Sequence, residues 1–153
     1  MGDIHERTLI LVKPDGVARG LTGEIIKRFE HRGYKPVAIK LLLPTKALLE
    51  QHYEEHKGKK FYDALVAFSE SGPVVAMVWE GFGVIANARK MLGATDPAKA
   101  EPGTIRGDHA IATGRNVVHG SDSEKAAKRE IDLWFRPEEV TRWTSAAGKW
   151  IHE

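Results

Sequence analysis

A histidine in this chain has neighbours that suit a nucleophilic or phosphate-handling site. His119 ends a short apolar run and is followed directly by the turn-forming segment Gly120–Ser123. A helix is predicted to begin just after it, which places the imidazole beside free backbone N–H groups that attract anions. The chain has no cysteine, so a thiolate nucleophile is excluded and histidine is the natural candidate. The alternative is a polar turn with an incidental histidine.

A carboxylate is expected near that histidine. Ser121 and Glu124 match the capping-box pattern, which predicts that a helix begins there. The helical period then places Glu130 within an apolar stripe that includes Trp134. A carboxylate in such a stripe is costly unless it is paired. Glu130 either lies at the edge of the stripe and reaches solvent, or accepts a hydrogen bond from His119 and leaves the other ring nitrogen free to attack.

Three cations are candidates for stabilising negative charge. Lys13 directly follows an apolar run, Arg89 lies on an otherwise small and apolar predicted helix, and Arg106 lies in a long loop. Each alone is typical of a solvated surface charge. Together they would suit phosphoryl transfer, which depends on positioned positive charge, but sequence spacing does not show whether they converge.

Several other site types find little support. The chain has no Walker A motif, and Gly81–Ala86 matches the dinucleotide-binding fingerprint only loosely, so we interpret those glycines as turn residues. No His, Asp or Glu spacing is typical of a zinc site. Five further histidines fall in polar surroundings and are expected at the surface. They are His5, His31, His52, His56 and His152.

Composition is that of a compact soluble domain. The 153 residues carry a net charge of +2, which is too small to suggest strong nucleic-acid binding. No apolar run approaches membrane-spanning length, and no signal-peptide pattern is present, so a cytoplasmic protein is expected. The lack of cysteine fits a reducing compartment.

Hydrophobic patterning predicts a mixed α/β sandwich of the split βαβ type. Thr22 is predicted to cap the first helix, and Phe61 and Leu65 to lie on the apolar face of another, together with Ala64 and Phe68. Residues 94–115 are predicted as a long functional or interface loop, and residues 137–153 as a C-terminal arm. The predicted strands are 8–12, 34–43, 73–79 and 116–118, and the predicted helices are 22–33, 45–56, 61–68, 84–92 and 123–134.

Over nearly its whole length the chain resembles the nucleoside diphosphate kinase family. The matching segments are Glu6–Val17, Arg19–Leu21, Gly23–Ile26, Ser71–Val75, Val78–Gly81, Gly93–Pro97, Pro102–Asp108 and Asn116–Ser123. The resemblance implies a single domain over residues 1–153 with a ferredoxin-like fold and a four-stranded antiparallel sheet covered by helices. It implies ping-pong transfer of the γ-phosphate from a nucleoside triphosphate to a nucleoside diphosphate, with broad base specificity.

The resemblance also assigns roles by position. His119 matches the nucleophile that becomes phosphohistidine at Nδ1, with Glu130 and Ser121 as supporting groups. Lys13 and Tyr53 match catalytic positions that contact the phosphates and sugar of the nucleotide. Phe61 and Leu65 match the base platform. The other positions matched to nucleotide contacts are Arg89, Thr95, Arg106, Thr113 and Asn116. Mg²⁺ is expected to bind through the nucleotide phosphates and water, with Asp122 near the metal.

The chain departs from the family pattern at Thr113, where valine is more usual, and at His109, where an aromatic residue is common; both bear on nucleotide preference. The loop containing Pro97 and the arm ending at Trp150–Glu153 resemble hexamer-building segments, which favours a hexamer over a tetramer. Two alternatives stay open: a histidine phosphotransferase that acts on protein, and a non-catalytic interaction protein on the same fold.

Overall fold

The computed structural model describes residues 2–153 and contains one four-stranded sheet. The strands are β1 (Arg7–Val12), β2 (Lys35–Leu42), β3 (Val74–Glu80) and β4 (Val118–Gly120). They lie in the order β2-β3-β1-β4, and every pairing is antiparallel. The antiparallel sheet covered by helices confirms the expected fold class.

Eight α-helices lie within the described residues, joined in three places by short 3₁₀ turns. The helices are α1 (Pro14–Ala18), α2 (Thr22–Arg32), α3 (Lys46–His52), α4 (Tyr62–Ser69), α5 (Val84–Leu92), α6 (Ile105–His109), α7 (Glu124–Trp134) and α8 (Gly148–Ile151). The 3₁₀ turns are Glu54–His56, Pro97–Lys99 and Pro137–Glu139.

The sheet has an apolar core on each face because successive strand side chains point in opposite directions. On β1, Ile10 and Val12 belong to one core, while Leu9 and Leu11 belong to the other. All seven residues of β3 are buried, as its continuous apolar sequence predicts for a central strand. The first core holds β1 against α2 and α5, and the second against α3, α4 and α7.

Helix boundaries differ from the sequence-based prediction in two caps. Thr22 is the first residue of α2 and does not cap it, since Leu21 occupies the N-cap position. Ser121 does not cap α7 either: Ser123 does, and its hydroxyl accepts a hydrogen bond from the N–H of Ala126 at 3.0 Å. The capping-box pattern therefore assigned the N-cap to Ser121, two residues before the serine that occupies it.

The predicted apolar face of α4 is wrong. Tyr62, Val66 and Ser69 are its buried residues, whereas Phe61 at the N-cap is half exposed. The prediction grouped these apolar residues by their helical spacing alone. In the structure, Phe61 is left available on the surface.

The region 94–115 is more ordered than predicted. It contains the 3₁₀ turn Pro97–Lys99 and the helix α6, which Thr104 caps through a hydrogen bond from the N–H of Gly107 at 3.0 Å. Ile105 and Arg106 of α6 are buried, so this segment packs onto the domain.

No helix among residues 2–153 combines the length and apolar character needed to cross a membrane.

Candidate active site

His119 lies in the middle of the short strand β4 and not on the turn that follows it. The strand was predicted at residues 116–118 but spans Val118–Gly120. His119 is opposite Leu11 of β1, so the sheet fixes its backbone. The side chain keeps 22% of its surface exposed, which leaves the ring accessible from one side.

Glu130 holds one nitrogen of that ring. Nε2 of His119 lies 2.8 Å from Oε1 of Glu130, and Glu130 is 7% exposed. A carboxylate can only accept, so in the neutral imidazole the proton is on Nε2 and the lone pair on Nδ1. Of the two interpretations of Glu130, the structure confirms the bonded one.

Ser121 fixes the carboxylate in turn. Its hydroxyl donates to Oε1 of Glu130 at 2.8 Å and accepts the N–H of Leu9 at 3.3 Å. Ser121 is fully buried. The carboxylate is therefore tied to the backbone of β1 and cannot easily turn away from His119.

A strained residue precedes the histidine strand. Val117 is the one non-glycine residue with positive φ, at +73°, among the residues that the structure describes. This conformation is costly for a β-branched side chain. Its carbonyl accepts the N–H of Lys13 at 2.8 Å, and its N–H donates to Oδ2 of Asp15 at 3.0 Å. Lys13 and Asp15, at the start of α1, therefore fix the backbone of the segment that leads into β4.

The first turn of α1 also requires a glycine. A Cβ added at Gly16 would lie 2.7 Å from Cγ1 of Val12 and 3.0 Å from Val117. Close packing of this turn against Val117 explains why glycine follows the segment Lys13–Asp15.

The three candidate cations do converge around the histidine strand. Nζ of Lys13 donates to Oδ1 of Asn116 at 2.9 Å, and the amide of Asn116 donates to the carbonyl of Thr95 at 3.0 Å. Arg89 reaches the carbonyl of Gly120 at 3.4 Å. Arg106 donates to the carbonyl oxygens of Gly93, Asn116 and Val118 at 2.9, 3.2 and 2.7 Å.

Burial and mutual repulsion change the proton affinities of two of these cations. Burial, reinforced by the charge of Arg106, lowers the pKa of Lys13 from 10.5 to about 8, although Asp15 opposes the shift. Burial, with Arg89 next to it, lowers the pKa of Arg106 to about 10. Both remain charged at neutral pH. Cations that repel one another in this way are suited to an anion that would relieve the repulsion.

The remaining positions matched by the resemblance differ in burial and in hydrogen bonding. Tyr53 is buried, and its hydroxyl accepts a hydrogen bond from Ser69 at 3.3 Å; burial raises its pKa. Phe61 is half exposed and Leu65 partly buried on α4. Thr113 is exposed and its hydroxyl lies 3.4 Å from Asp96. Asp122 is exposed on the turn before α7.

Sequence reasoning misjudged His52. It is 6% exposed, not a surface residue, and its ring packs against that of His119 with centroids 4.5 Å apart. Its position three residues after the buried Leu49 on α3 was the available signal. Asp15, which accepts the N–H of Val117, was also missed.

One group among residues 2–153 brings three metal-ligating side chains together. Single ligand atoms of His52, His119 and Glu130 lie within 4.8 Å of one another. Two imidazoles and one carboxylate are a poor donor set for Mg²⁺, which prefers oxygen ligands.

Comparison with known proteins identifies the family. The nucleoside diphosphate kinase family model matches residues 6–140. This chain belongs to the nucleoside diphosphate kinase family. Members are enzymes that transfer phosphate through a phosphohistidine, so the expected activity is confirmed.

Individual relatives agree with that assignment over their full lengths. A nucleoside diphosphate kinase of Thermosynechococcus vestitus is 60% identical over 148 residues, covering 97% of this chain and 99% of the relative. One from Brugia malayi is 58% identical over 153 residues, covering all of both chains. The structure of a halophilic nucleoside diphosphate kinase from Halobacterium salinarum in complex with CDP has a TM-score of 0.96 and 48% identity, covering 97% of this chain and 99% of that one.

Proposed function

We propose that this chain transfers the γ-phosphate of a nucleoside triphosphate to a nucleoside diphosphate with Nδ1 of His119 as the nucleophile. The observation that carries the proposal is the 2.8 Å contact between Nε2 of His119 and Glu130. It leaves Nδ1 as the ring nitrogen with a lone pair. Glu130 and Ser121 are the positioning pair that keeps it so.

In the first half-reaction, Nδ1 of His119 attacks the γ-phosphorus in line with the departing oxygen. A nitrogen–phosphorus bond forms and the bond to the β-phosphate oxygen breaks, so a nucleoside diphosphate leaves. Positive charge that develops on the imidazole is stabilised by Glu130. A second diphosphate then takes the phosphate from His119 by the reverse displacement, which restores the free ring.

Lys13, Arg89 and Arg106 are proposed to stabilise the phosphate oxygens. Arg106 donates three of its five N–H groups to backbone carbonyl oxygens, and we propose that the other two bind a phosphate oxygen. The convergence of three positive charges beside His119 supports this role because phosphoryl transfer is catalysed chiefly by positioning and charge.

The nucleoside is proposed to lie against α4 and the loop before β4. Phe61 and Leu65 would contact the base, and an aromatic face accepts any base, so broad specificity is expected. Tyr53, Thr95 and Asn116 would contact the sugar and phosphates, and Thr113 would lie near the base. Mg²⁺ would neutralise phosphate charge when bound with the nucleotide, and Asp122 would reach it through water.

A pulse–chase experiment tests this function against the two alternatives. The protein is incubated with γ-labelled ATP, freed of nucleotide, and chased with GDP. We expect acid-labile, base-stable label on His119 and its quantitative transfer to GDP. His119→Ala should remain folded and take up no label. Label that stays on the protein until a protein acceptor is added would favour a protein phosphotransferase. No labelling of the parent protein would favour an interaction protein.

We also propose that residues 1–153 form one domain that assembles as a homohexamer in the cytoplasm. Large apolar side chains on separate surfaces support the assembly: Ile111 is 97% exposed, Trp150 81% and Leu41 66%. Exposed apolar surface of this kind is typical of protein interfaces. The absence of cysteine from the sequence suits a reducing compartment.

A further inference from the structure

His52 is a buried titratable group that the proposed mechanism does not use. It is the last residue of α3 and is 6% exposed. Its ring stands edge-to-face with those of His119 and Trp134, at interplanar angles of 78° and 86°. The ring therefore lies between the nucleophile and the end of α7.

The hydrogen bonding of His52 fixes its tautomer. The indole Nε1–H of Trp134 lies 3.0 Å from Nδ1 of His52. An indole nitrogen can only donate, so Nδ1 must accept and the single ring proton must be on Nε2. A protonated ring would carry a hydrogen on Nδ1 that points at the indole donor. Trp134 therefore holds His52 in the neutral form.

The surroundings of His52 also favour its neutral form. Burial lowers the pKa of His52 well below its ordinary value, and nearby positive charge lowers it further. The ionisable side chains around the ring come from β4, the turn after β1, α7 and the 3₁₀ turn after α3. They are His119, Lys13, Arg129, Glu130, Tyr53 and His56.

Nε2 of His52 is an unsatisfied hydrogen-bonding group in the packed core. It is buried and has no hydrogen-bond partner among residues 2–153. Native proteins leave few such groups, and those that persist often belong to functional sites. A nitrogen of this ring also lies within 4.8 Å of ligand atoms of both His119 and Glu130.

We propose that His52 is a positioning residue for His119, and that Trp134 keeps the His52 ring uncharged so that Glu130 pairs with His119 and not with His52. The neutral ring packs edge-to-face with His119 and restricts its rotation. A cationic ring at the same place would compete for the carboxylate of Glu130. It would also oppose the positive charge that develops on His119 as Nδ1 attacks phosphorus. The proposal rests on the function proposed above.

Removal of the indole donor tests this role. In Trp134→Phe the aromatic packing is kept but the indole donor that faces Nδ1 is gone. The pKa of His52 should therefore rise towards its ordinary value, although burial still opposes protonation. The readout is the single-turnover rate of His119 phosphorylation by ATP between about pH 5.5 and 8. We expect a rate within about twofold of the parent at pH 8 and severalfold lower at about pH 5.5, with KM for ATP nearly unchanged.

Two further variants separate this role from packing. Trp134→Phe combined with His52→Phe has no titratable ring, so the additional loss at acid pH should disappear. Trp143→Phe removes a different indole donor, which bonds the carbonyl of Pro36 at 2.8 Å, and should leave the profile unchanged. A loss in Trp134→Phe that is equal at every pH, or that persists in the double variant, would show a packing role only. A profile identical to the parent, or a rise in KM alone, would also overturn the proposal.

Histidine-ring NMR on the unmodified protein gives a second test that needs no variant. We expect His52 to remain in the neutral Nε2–H form throughout the same pH range. Protonation of His52 within that range contradicts the proposal. The pulse–chase experiment distinguishes failure of the proposed function from failure of this inference. An inactive parent protein overturns the function. An active parent protein in which His52 becomes protonated overturns only the inference about His52.

Discussion

Glu130 binds His119 through one ring nitrogen, Nε2, at 2.8 Å, and so leaves Nδ1 as the nitrogen with a free lone pair. The same oxygen accepts the hydroxyl of Ser121, whose own position is set by the backbone of β1. The contact selects a tautomer and limits rotation of the ring, because the acceptor itself is immobile. Conversion of Glu130 to a side chain of equal shape should therefore change reactivity more than structure.

Glu130→Gln should slow phosphorylation of His119 by roughly ten- to a thousandfold, because an amide can present N–H to Nε2 and shift the proton to Nδ1. The measurement is the single-turnover labelling rate with γ-labelled ATP. Ser121→Ala is the matched variant: it frees the carboxylate without changing its charge, so a smaller loss is expected. Labelling by Glu130→Gln at the parent rate would contradict the supporting role.

The Glu130 contact illustrates what the sequence can predict. The apolar stripe on α7 indicated that the carboxylate of Glu130 needs a hydrogen-bond partner. The short turn between His119 and α7 indicated that His119 is within its reach. The capping pattern, however, assigned Ser121 to the helix terminus, because a local pattern contains no information about the partner across the sheet. Ser123 competes for the same cap and occupies it.

Other site features depend on contacts between distant segments. Lys13 and Asn116 are bonded although 103 residues apart, and no spacing rule predicts that. The burial of His52 also follows from packing against α7 and β4, which the polar residues around it in sequence obscured. Continuous apolar runs such as β3 were predicted well because burial on both faces leaves a clear composition signal.

Lys13 should give the enzyme an alkaline limit. Its pKa is about 8 in the free protein, so its positive charge is lost as the pH rises through that value. The pH dependence of kcat/KM reports groups of the free enzyme, so kcat/KM should fall above about pH 8. A bound phosphate favours the charged amine, so kcat should decline only at higher pH.

Lys13→Arg provides the control because a guanidinium stays charged across this range. Its absolute rate can be lower, but its kcat/KM should show no decline near pH 8. An unchanged alkaline limb in Lys13→Arg would assign the limb to another group. The free energy of unfolding should change in the opposite direction from kcat/KM. The pKa of Lys13 is lower in the folded protein than its ordinary value of 10.5, so the charged amine opposes folding below about pH 8. This destabilisation is relieved as the pH rises from about 8 to 10.5.

Phe61 should contribute to nucleotide affinity without contributing to stability. Loss of a stacking face costs about 1–3 kcal/mol, so Phe61→Ala should raise KM about tenfold for purine and pyrimidine nucleotides alike. Its ring is half exposed, so Tm should be nearly unchanged. Phe82→Ala, at 49% exposure, is the matched control and should leave KM unaltered. A loss confined to one base class would contradict a general platform.

Exposed apolar residues should decide the assembly state. Ile111→Asp places a charge on a side chain that is 97% exposed, so the folded protomer should tolerate it. If Ile111 is buried between subunits, the charge should produce smaller species in sedimentation velocity. Ala47→Asp, which changes the charge by the same amount at an exposed position on the first turn of α3, should not. A parent protein that sediments as a monomer would exclude the hexamer.

Asp15 should be needed for both stability and catalysis because it maintains the strained backbone of Val117. Asp15→Ala leaves the N–H of Val117 without its acceptor, which should cost about 1–3 kcal/mol and lower Tm by several degrees. Val117 can then relax from its positive φ, and that movement displaces Asn116, the partner of Lys13. The phosphorylation rate measured well below Tm should therefore fall as well.

Asp15→Asn separates strain from charge at this position. Its amide oxygen can still accept the N–H of Val117, so both Tm and rate should stay near those of the parent protein. If Asp15→Asn behaves like Asp15→Ala, the charge of Asp15 beside Lys13 matters more than its hydrogen bond. If Asp15→Ala changes neither quantity, the positive φ of Val117 is sustained by its buried side chain packed against Gly16, and the clamp from Asp15 is not required.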